Sequence, residues 1–149
     1  MKQQFCLSVI VAVGLTLPAF GQNTLREQLV GAWTLVSCKE PVAGSFCTNP
    51  NGIWIFDVSG HYAGIYAARG RPKVSAGRNS PAEELKPLVA GLVAQFGTWS
   101  VNEAEKTITF HYDGALFPNV EGTDRNSGTV SLSGDELKMG SDVFRRIKK

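Results

Sequence analysis

Gly31-Ala32-Trp33-Thr34-Leu35-Val36-Ser37 is the stretch of sequence on which the fold depends. Its aromatic and β-branched residues favour a strand, and the period of two places Trp33 and Leu35 on one face. Near the other end of the chain, Val143-Phe144-Arg145-Arg146-Ile147 is a second apolar strand that carries two basic residues. The two segments enclose a series of strand patterns, so we expect the first and last strands to pair and close one sheet.

Short strand patterns separated by turn signals fill the middle of the chain. Residues 53–56 and 61–66 form the clearest hairpin, in which Tyr62 and Tyr66 share a face. Further strands are predicted at residues 98–101, 107–112, 119–125, 128–132, 137–139 and 143–147. Eight to nine antiparallel strands without alternating helices indicate an all-β sandwich or barrel. A barrel of about eight strands is just wide enough to hold one small ligand.

Two helix signals interrupt the strands. Thr24-Leu25-Arg26-Glu27 matches a capping box and predicts a short helix that ends at Gly31. Ser80-Pro81-Ala82-Glu83 matches a second capping box, followed by apolar residues at helical spacing: Leu85, Leu88, Val89, Leu92 and Phe96. We therefore predict an amphipathic helix over residues 81–96 that is bent or split at Pro87. It would pack on one end of the barrel or on the outer face of strand 53–56. The alternative is that it forms a lid.

The first 21 residues have the pattern of a secretory signal peptide. Met1-Lys2 supplies a positive end, residues 7–17 form an apolar run, and Ala19-Phe20-Gly21 fits a small-x-small cleavage site. We expect removal of residues 1–21 and an exported domain over residues 22–149, either periplasmic or secreted. The apolar run is too short for a spanning helix and no lipobox follows Cys6, so no stable membrane anchor is expected. The exported chain would carry a net charge of +1, which gives no sign of nucleic-acid binding.

Two cysteines remain once the predicted signal peptide is removed. Cys38 and Cys47 are nine residues apart and flank a Pro/Gly-rich segment at residues 40–45. Because export implies an oxidising compartment, we predict a disulfide bond that closes the loop between the first two strands. A redox or metal pair is the alternative, although the spacing is not Cys-x-x-Cys and no histidine is nearby.

Several stretches, in the same order along the chain, resemble the bacterial lipocalin-like domain family. They are residues 29–37, the turn Asn49-Pro50-Asn51-Gly52, residues 96–101, residues 111–119 and the final Arg145-Arg146. The resemblance extends over residues 25–147 and implies an antiparallel up-and-down lipocalin-like β-barrel with one amphipathic helix inserted mid-chain. It implies a small apolar ligand and carries over no catalytic residues.

The resemblance also implies a structural pair at the closed end of the barrel. In lipocalin-type barrels the opening Trp packs under an Arg of the last strand, where the planar cation stacks on the indole. Trp33 takes the first role, and Arg145 or Arg146 takes the second. We favour Arg145, because it alternates with Val143 and Ile147. The cysteine pair is not part of the family pattern.

Aromatic side chains are the candidate ligand contacts. Ligand pockets are apolar and aromatic with a few polar groups, although many of these rings will simply form the core. The candidates are Trp54, Phe56, Tyr62, Tyr66, Trp99, Phe110 and Tyr112. In the basic loop at residues 69–78, Arg69 and Arg71 could form a positive rim that attracts an anionic head group; the alternative is a solvated loop.

Catalytic and metal-binding patterns are weak. The chain has no Gly-x-Ser-x-Gly motif, and its two histidines show no metal-ligand spacing, so we expect no metal and no cofactor. His111 and Asp113, with Tyr112 and Glu121, are the candidates if the protein is an enzyme. Strand alternation places His111 opposite Phe110, where it would face solvent.

Three functions fit the sequence. The first is an exported barrel that binds or carries a small hydrophobic molecule, with an anionic head if the basic loop takes part. The second is a structural or interaction protein whose large side chains fill the barrel. The third is an isomerase, cyclase or hydrolase that acts on a lipid-like substrate. The oligomeric state and the identity of the ligand are not encoded in any recognisable pattern.

Overall fold

The computed structural model describes residues 23–39, 47 and 49–148. The predicted signal peptide and the segment 40–45 inside the cysteine loop lie outside these residues. These described residues form eight strands and two α-helices. The strands are β1 (Gly31–Ser37), β2 (Gly52–Phe56), β3 (His61–Ala67), β4 (Leu92–Asn102), β5 (Thr107–Ala115), β6 (Asp124–Ser133), β7 (Glu136–Met139) and β8 (Asp142–Arg146). The helices are α1 (Leu25–Leu29), before β1, and α2 (Ala82–Ala90), between β3 and β4.

The strands form one closed antiparallel barrel. Each strand pairs with the next in the chain, and β8 returns to pair with β1. In that closing pair Trp33 lies opposite Arg146 and Leu35 lies opposite Phe144. The predicted fold class is therefore confirmed, since the up-and-down barrel has eight strands and a helix inserted mid-chain. Closure leaves no free sheet edge between the first and last strands.

The long helix predicted over residues 81–96 is wrong in its second half. The helix ends at Ala90 and continues through Pro87 without being split, and residues 92–102 are strand β4. Residues 92–98 pair with β3, so the cross-strand hydrogen bonds override a helical spacing of apolar residues. The second capping box is also absent, because the Ser80 hydroxyl accepts from the amide of Ala76 instead.

The same helix does not cover the outer face of β2. None of its residues is buried, and Ile55 on that face remains 44% exposed. The two apolar faces of residues 53–56 therefore lie in different environments. Trp54 and Phe56 point into the barrel and are buried, whereas the side chains that alternate with them lie on its outer surface.

The strand predicted at residues 119–125 is also wrong in its first half. Residues 118–120 form a short 3-10 turn that begins at Pro118, and the Thr123 hydroxyl donates to the carbonyl of Val120 at 2.6 Å. Strand β6 starts only at Asp124 and continues as one strand through residues 126–128 to Ser133. Two predicted short strands are thus a turn followed by a single long strand.

Helix α1 seals one end of the barrel, which we call the closed end. Its predicted capping box is present: the Thr24 hydroxyl accepts from the amide of Glu27, and the Glu27 carboxylate accepts from the amide of Thr24. The Glu103 carboxylate accepts the amides of Leu25 and Arg26, both at 2.9 Å. These are backbone donors of the first turn, which have no partner within a helix. The capping contacts tie α1 to the turn between β4 and β5.

Arg146, not Arg145, completes the closed end. Its guanidinium carbon lies 4.1 Å from the ring centroid of Trp33, and it donates to the carbonyls of Val30 and Gln28. Alternation along β8 places Phe144 and Arg146 inward, so Arg145 points outward and is exposed. The expectation for Arg145 is corrected because the inward register of β8 is set by Phe144 rather than by Val143 and Ile147.

The predicted disulfide bond is confirmed. Cys38 and Cys47 are joined, with their Cα atoms 5.1 Å apart. The bond lies just after β1, at the end of the barrel opposite α1, which we call the open end. It ties the connection between β1 and β2 to the barrel. None of the helices in the described part of the chain is long and apolar enough to cross a bilayer.

Candidate functional site

Stacked aromatic rings fill the middle of the barrel. The indole of Trp54 stacks on the ring of Tyr62, with centroids 5.4 Å apart and planes inclined by 9°. Phe110 meets Trp54 edge-on at 5.0 Å, and Phe56 meets Trp99 edge-on at the same distance. Such contacts add to the free energy of burial of large rings. The interior toward the closed end is therefore packed.

Gly64 determines where the Trp54 indole lies. A Cβ atom built on Gly64 would be 2.6 Å from Trp54 Cε2, closer than carbon atoms can pack. Gly64 is paired with Trp54 across the β2–β3 ladder, so the indole lies flat against a backbone with no side chain. The glycine between the two inward tyrosines of β3 thus makes room for the ring beneath the open end.

A cavity of about 150 Å³ lies above this aromatic layer, toward the open end. An apolar cavity of roughly this volume can hold a single benzene ring, and the usual volume of sites for drug-sized ligands is about 300–1,000 Å³. Its walls combine aromatic and polar residues from six strands and from the turn between β7 and β8. They are Trp54, Tyr66, Phe110, Tyr112, Arg125, Ser127, Met139, Gly140, Ser141 and Asp142.

A tyrosine and a carboxylate form a hydrogen-bonded pair on the cavity wall. The hydroxyl of Tyr66, at the end of β3, donates to Asp142 Oδ2, at the start of β8, over 3.0 Å. Burial raises the pKa of Tyr66, and the neighbouring Asp142 charge raises it further. Burial likewise raises the pKa of Asp142, partly offset by the hydrogen bonds from Tyr66 and Ser141. Tyr66 is therefore a neutral donor at physiological pH.

Arg125 is the cation of the cavity. It lies on β6 opposite Phe110, and its positive charge lowers the pKa values of Tyr62, Tyr66 and Asp142. The residue is exposed, and its side chain forms part of the cavity wall. Among the described residues its side chain makes neither an ion pair within 4.0 Å nor a hydrogen bond, so its five donors are available to solvent or to a ligand.

Two buried polar atoms near the cavity have no hydrogen-bond partner within the part of the chain that the structure describes. They are Trp54 Nε1 and the Tyr62 hydroxyl. The Trp54 N–H lowers the pKa of Tyr66, so it lies near that hydroxyl on the cavity side without forming a well-aligned bond. A buried donor without a partner costs about 1–3 kcal/mol, so each such group needs an explanation.

Comparison with known proteins agrees with this barrel. Residues 30–147 match the model of the lipocalin-like domain family. The chain belongs to the lipocalin-like domain family. No curated protein matches it. Membership suggests the binding of small hydrophobic molecules, but the family description carries no ligand and no catalytic residue to this chain.

The lipocalin-like barrel separates the predicted ligand residues into three groups. Trp54, Tyr66, Phe110 and Tyr112 line the cavity. Phe56, Tyr62 and Trp99 are buried in the barrel without lining it. Arg69 and Arg71 are exposed on the connection between β3 and β4 and do not line it, and the Arg71 side chain lies against Gly91. The basic group at the lipocalin-like cavity is thus Arg125, not the loop.

Sequence reasoning missed the polar half of the cavity. Asp142 could have been found, because it shares a strand face with Phe144 and Arg146 at a spacing of two. Arg125 could not, because the β5–β6 register shifts between Thr107 and Thr109, which breaks the alternation along β6. The turn residues Gly140 and Ser141 are brought to the cavity by the β7–β8 hairpin alone.

His111 lies on the outer surface of the lipocalin-like barrel. Its Nδ1 atom is 2.7 Å from Asp124 Oδ1, and its Nε2 atom is 3.8 Å from Asp113 Oδ1. The neighbouring Phe110 and Tyr112 point inward, so the imidazole is separated from the cavity by the barrel wall. Glu121 accepts from the amide of Ala115 on the same outer side. Within the described residues, no three His, Cys, Asp or Glu side chains are gathered for metal binding.

Proposed function

We propose that this protein is an exported binding protein that holds a small, largely apolar molecule in the cavity at the open end of the barrel. One observation carries the proposal: four aromatic side chains and a buried indole N–H without a partner surround a cavity beside an unpaired guanidinium. Ligand sites combine such apolar walls with a few polar groups that fix orientation.

The size of the cavity restricts the ligand to about one ring. The aromatic layer formed by Trp54, Tyr62 and Phe110 closes the space below. The ligand would therefore place its apolar body on Trp54 and its polar end at the mouth. An anionic head would meet Arg125 there, since a guanidinium binds carboxylates through two parallel hydrogen bonds. A fully filled barrel is the alternative that this proposal sets aside.

The cysteine pair and the signal-peptide pattern of residues 1–21 together support the export part of the proposal. The disulfide between Cys38 and Cys47 suits the periplasm or the extracellular space, where such bonds persist. Sequencing the N-terminus of the protein recovered from the exported fraction tests this part. A mature chain that begins at Gln22 supports export, and an intact Met1 with free thiols in cells would contradict it.

Binding is tested with small probes and a cavity-filling variant. Toluene and phenylacetate are titrated into the protein and followed by calorimetry and by NMR. Met139 lines the cavity, so Met139→Trp fills it, whereas Lys138→Trp adds the same ring on the exposed neighbouring position. We expect saturable one-to-one binding of a probe to the wild type and to Lys138→Trp, and none to a folded Met139→Trp.

Two outcomes contradict the proposal. One is that no single-ring probe binds with a Kd below about 1 mM, which corresponds to roughly 4 kcal/mol of binding free energy. The other is that Met139→Trp binds the probes as tightly as the wild type. Native mass spectrometry of the protein purified gently from its exported fraction complements the titrations, because a stoichiometric added mass would identify the natural ligand.

A further inference from the structure

Two opposite charges line the cavity without pairing with each other. Asp142 and Arg125 both belong to its wall. The positive charge of Arg125 offsets a small part of the rise in the Asp142 pKa that burial causes. No ion pair within 4.0 Å joins them in the described part of the chain. Where a carboxylate and a guanidinium do pair in proteins, they frequently form two parallel hydrogen bonds.

Each charge has hydrogen-bonding capacity left. The Asp142 carboxylate accepts from the Tyr66 hydroxyl at 3.0 Å and from the Ser141 hydroxyl at 3.3 Å. A carboxylate offers about four acceptor positions, so about half remain open. The guanidinium of Arg125 uses none of its five donors within the described residues. The mouth therefore offers both an acceptor site and a donor site to one ligand.

The aromatic wall favours a cation near Asp142. Tyr66 donates to Asp142, and the ring of Tyr66 lies 6.3 Å from that of Trp54. Aromatic faces attract ammonium groups through the negative charge density of the ring face. A ligand with only an anionic head would satisfy Arg125 but place its charge near the Asp142 carboxylate. A ligand with only an ammonium group would satisfy Asp142 but place its positive charge near the Arg125 guanidinium.

We propose, as a consequence that rests on the proposed function, that the ligand is a small zwitterion with one apolar group, such as an amino acid with a single ring. Its ammonium group binds the Asp142 carboxylate, its carboxylate binds the Arg125 guanidinium, and its ring lies against Trp54, Phe110 and Tyr112. Selectivity arises because a ligand with one charge leaves the opposite protein charge desolvated without a partner.

Three probes that share one ring and a short chain test the proposal. Phenylalanine, in both enantiomers, carries both charges, 2-phenylethylamine lacks the carboxylate, and 3-phenylpropanoate lacks the ammonium group. Their Kd values for the full mature protein are measured by calorimetry at neutral pH. We expect one enantiomer of phenylalanine to bind at least tenfold more tightly than either probe with a single charge.

Two charge-removing variants assign the two ends of the ligand. Asp142→Asn is expected to weaken phenylalanine binding at least tenfold and to leave 3-phenylpropanoate unchanged or tighter. Arg125→Gln is expected to weaken phenylalanine and 3-phenylpropanoate and to spare 2-phenylethylamine. Asp124→Asn and Arg69→Gln are the matched controls, because they remove the same charges at exposed positions outside the cavity wall.

The outcomes separate this inference from the function on which it rests. If a probe with a single charge binds as tightly as phenylalanine, or if Asp142→Asn leaves phenylalanine binding unchanged, the zwitterion assignment is wrong while the binding cavity stands. If neither these probes nor toluene binds, the binding function itself fails, and the inference fails with it.

Discussion

The guanidinium of Arg146 lies over the indole of Trp33, with its central carbon 4.1 Å from the ring centroid. The two residues are directly paired in the β1–β8 ladder, which is the seam that closes the barrel. Arg146 also donates to two carbonyls at the end of α1, and Trp33 Nε1 donates to the carbonyl of Leu29 at 2.8 Å. One pair therefore joins the first strand, the last strand and the helix.

Arg146→Gln should destabilise the barrel by about 2–3 kcal/mol, since it removes a cation–π contact and hydrogen bonds from a charged donor. Arg145→Gln, on the exposed neighbouring position, should change the free energy of unfolding by less than about 0.5 kcal/mol. Urea denaturation of both variants measures the difference. Equal effects of the two substitutions would contradict the assignment of Arg146.

Glu103→Gln should lower stability at neutral pH by about 1 kcal/mol, because it weakens the acceptor for the first-turn amides of α1. The hydrogen bond from the amide of Arg26 is the main cause of the lowered pKa of Glu103. A carboxyl group with a lowered pKa in the folded state stabilises the fold above its unfolded pKa, about 4.3, and loses that contribution as pH falls through the folded-state pKa.

The difference between wild type and Glu103→Gln should therefore shrink when thermal unfolding is repeated from pH 7 down to pH 3. Glu105→Gln is the control, because Glu105 is exposed on the same turn and its carboxylate makes no hydrogen bond or ion pair in the described residues. A difference that stays constant across this pH range would show that Glu103 does not act through its charge.

Reduction of the disulfide, or the double substitution of Cys38 and Cys47 by Ser, should cost about 2–3 kcal/mol. The bond closes a short loop, and its main effect is to restrict the unfolded chain. Urea midpoints with and without a reductant measure the loss for the wild type, and the double Ser variant should show no response to the reductant. An unchanged midpoint on reduction of the wild type would contradict the prediction.

Tyr62→Phe should raise the stability of the ligand-free protein by about 0.5–1 kcal/mol, because it removes a buried hydroxyl that has no hydrogen-bond partner. Tyr66→Phe is the matched comparison at the other inward tyrosine of β3. It should lower stability by about 1 kcal/mol, since its hydroxyl donates to Asp142. Calorimetric unfolding of both variants checks the opposite signs; a loss of stability in Tyr62→Phe would contradict the expectation.

Asp142→Asn should be more stable than the wild type at pH 7. Burial raises the folded-state pKa of Asp142, so the group favours folding at low pH, and that contribution is lost as pH rises through the folded-state pKa. The advantage of the Asn variant should therefore disappear below the unfolded pKa of about 3.9. A stability profile measured between pH 3 and pH 8 tests this sign. Asp124→Asn, on the outer surface, is the control.

Helix α2 ends at Ala90 rather than at Phe96, and the difference shows what local sequence patterns cannot predict. Leu85, Leu88 and Val89 repeat with the period of a helix, and so do Leu92 and Phe96. The first three are helical, whereas the last two pair with Ala67 and Ala63 of β3. Local spacing cannot register a pairing partner that lies more than 20 residues away, and the ladder hydrogen bonds outweigh the local preference.

The candidate site likewise has one part that the sequence predicts and one part that it does not. The aromatic half could be predicted, because Tyr62 and Tyr66 share a face by simple alternation and Trp54 faces Gly64 across a recognisable hairpin. The charged half could not. Arg125 and Asp142 come from β6 and β8, which are not neighbours in the sheet, and they line one cavity only because the barrel is closed.

The sequence by itself determined the strand series, the capped helix α1, the pairing of the two cysteines and membership of a lipocalin-like barrel, because alternation, turn residues and caps act over a few residues. Only the tertiary structure decided that Arg146 rather than Arg145 covers Trp33, that the rings leave room for about one more ring, and that Arg125 and Asp142 face one cavity unpaired. These depend on register around the closed barrel, and a shift of one residue in any strand would exchange its inner and outer faces.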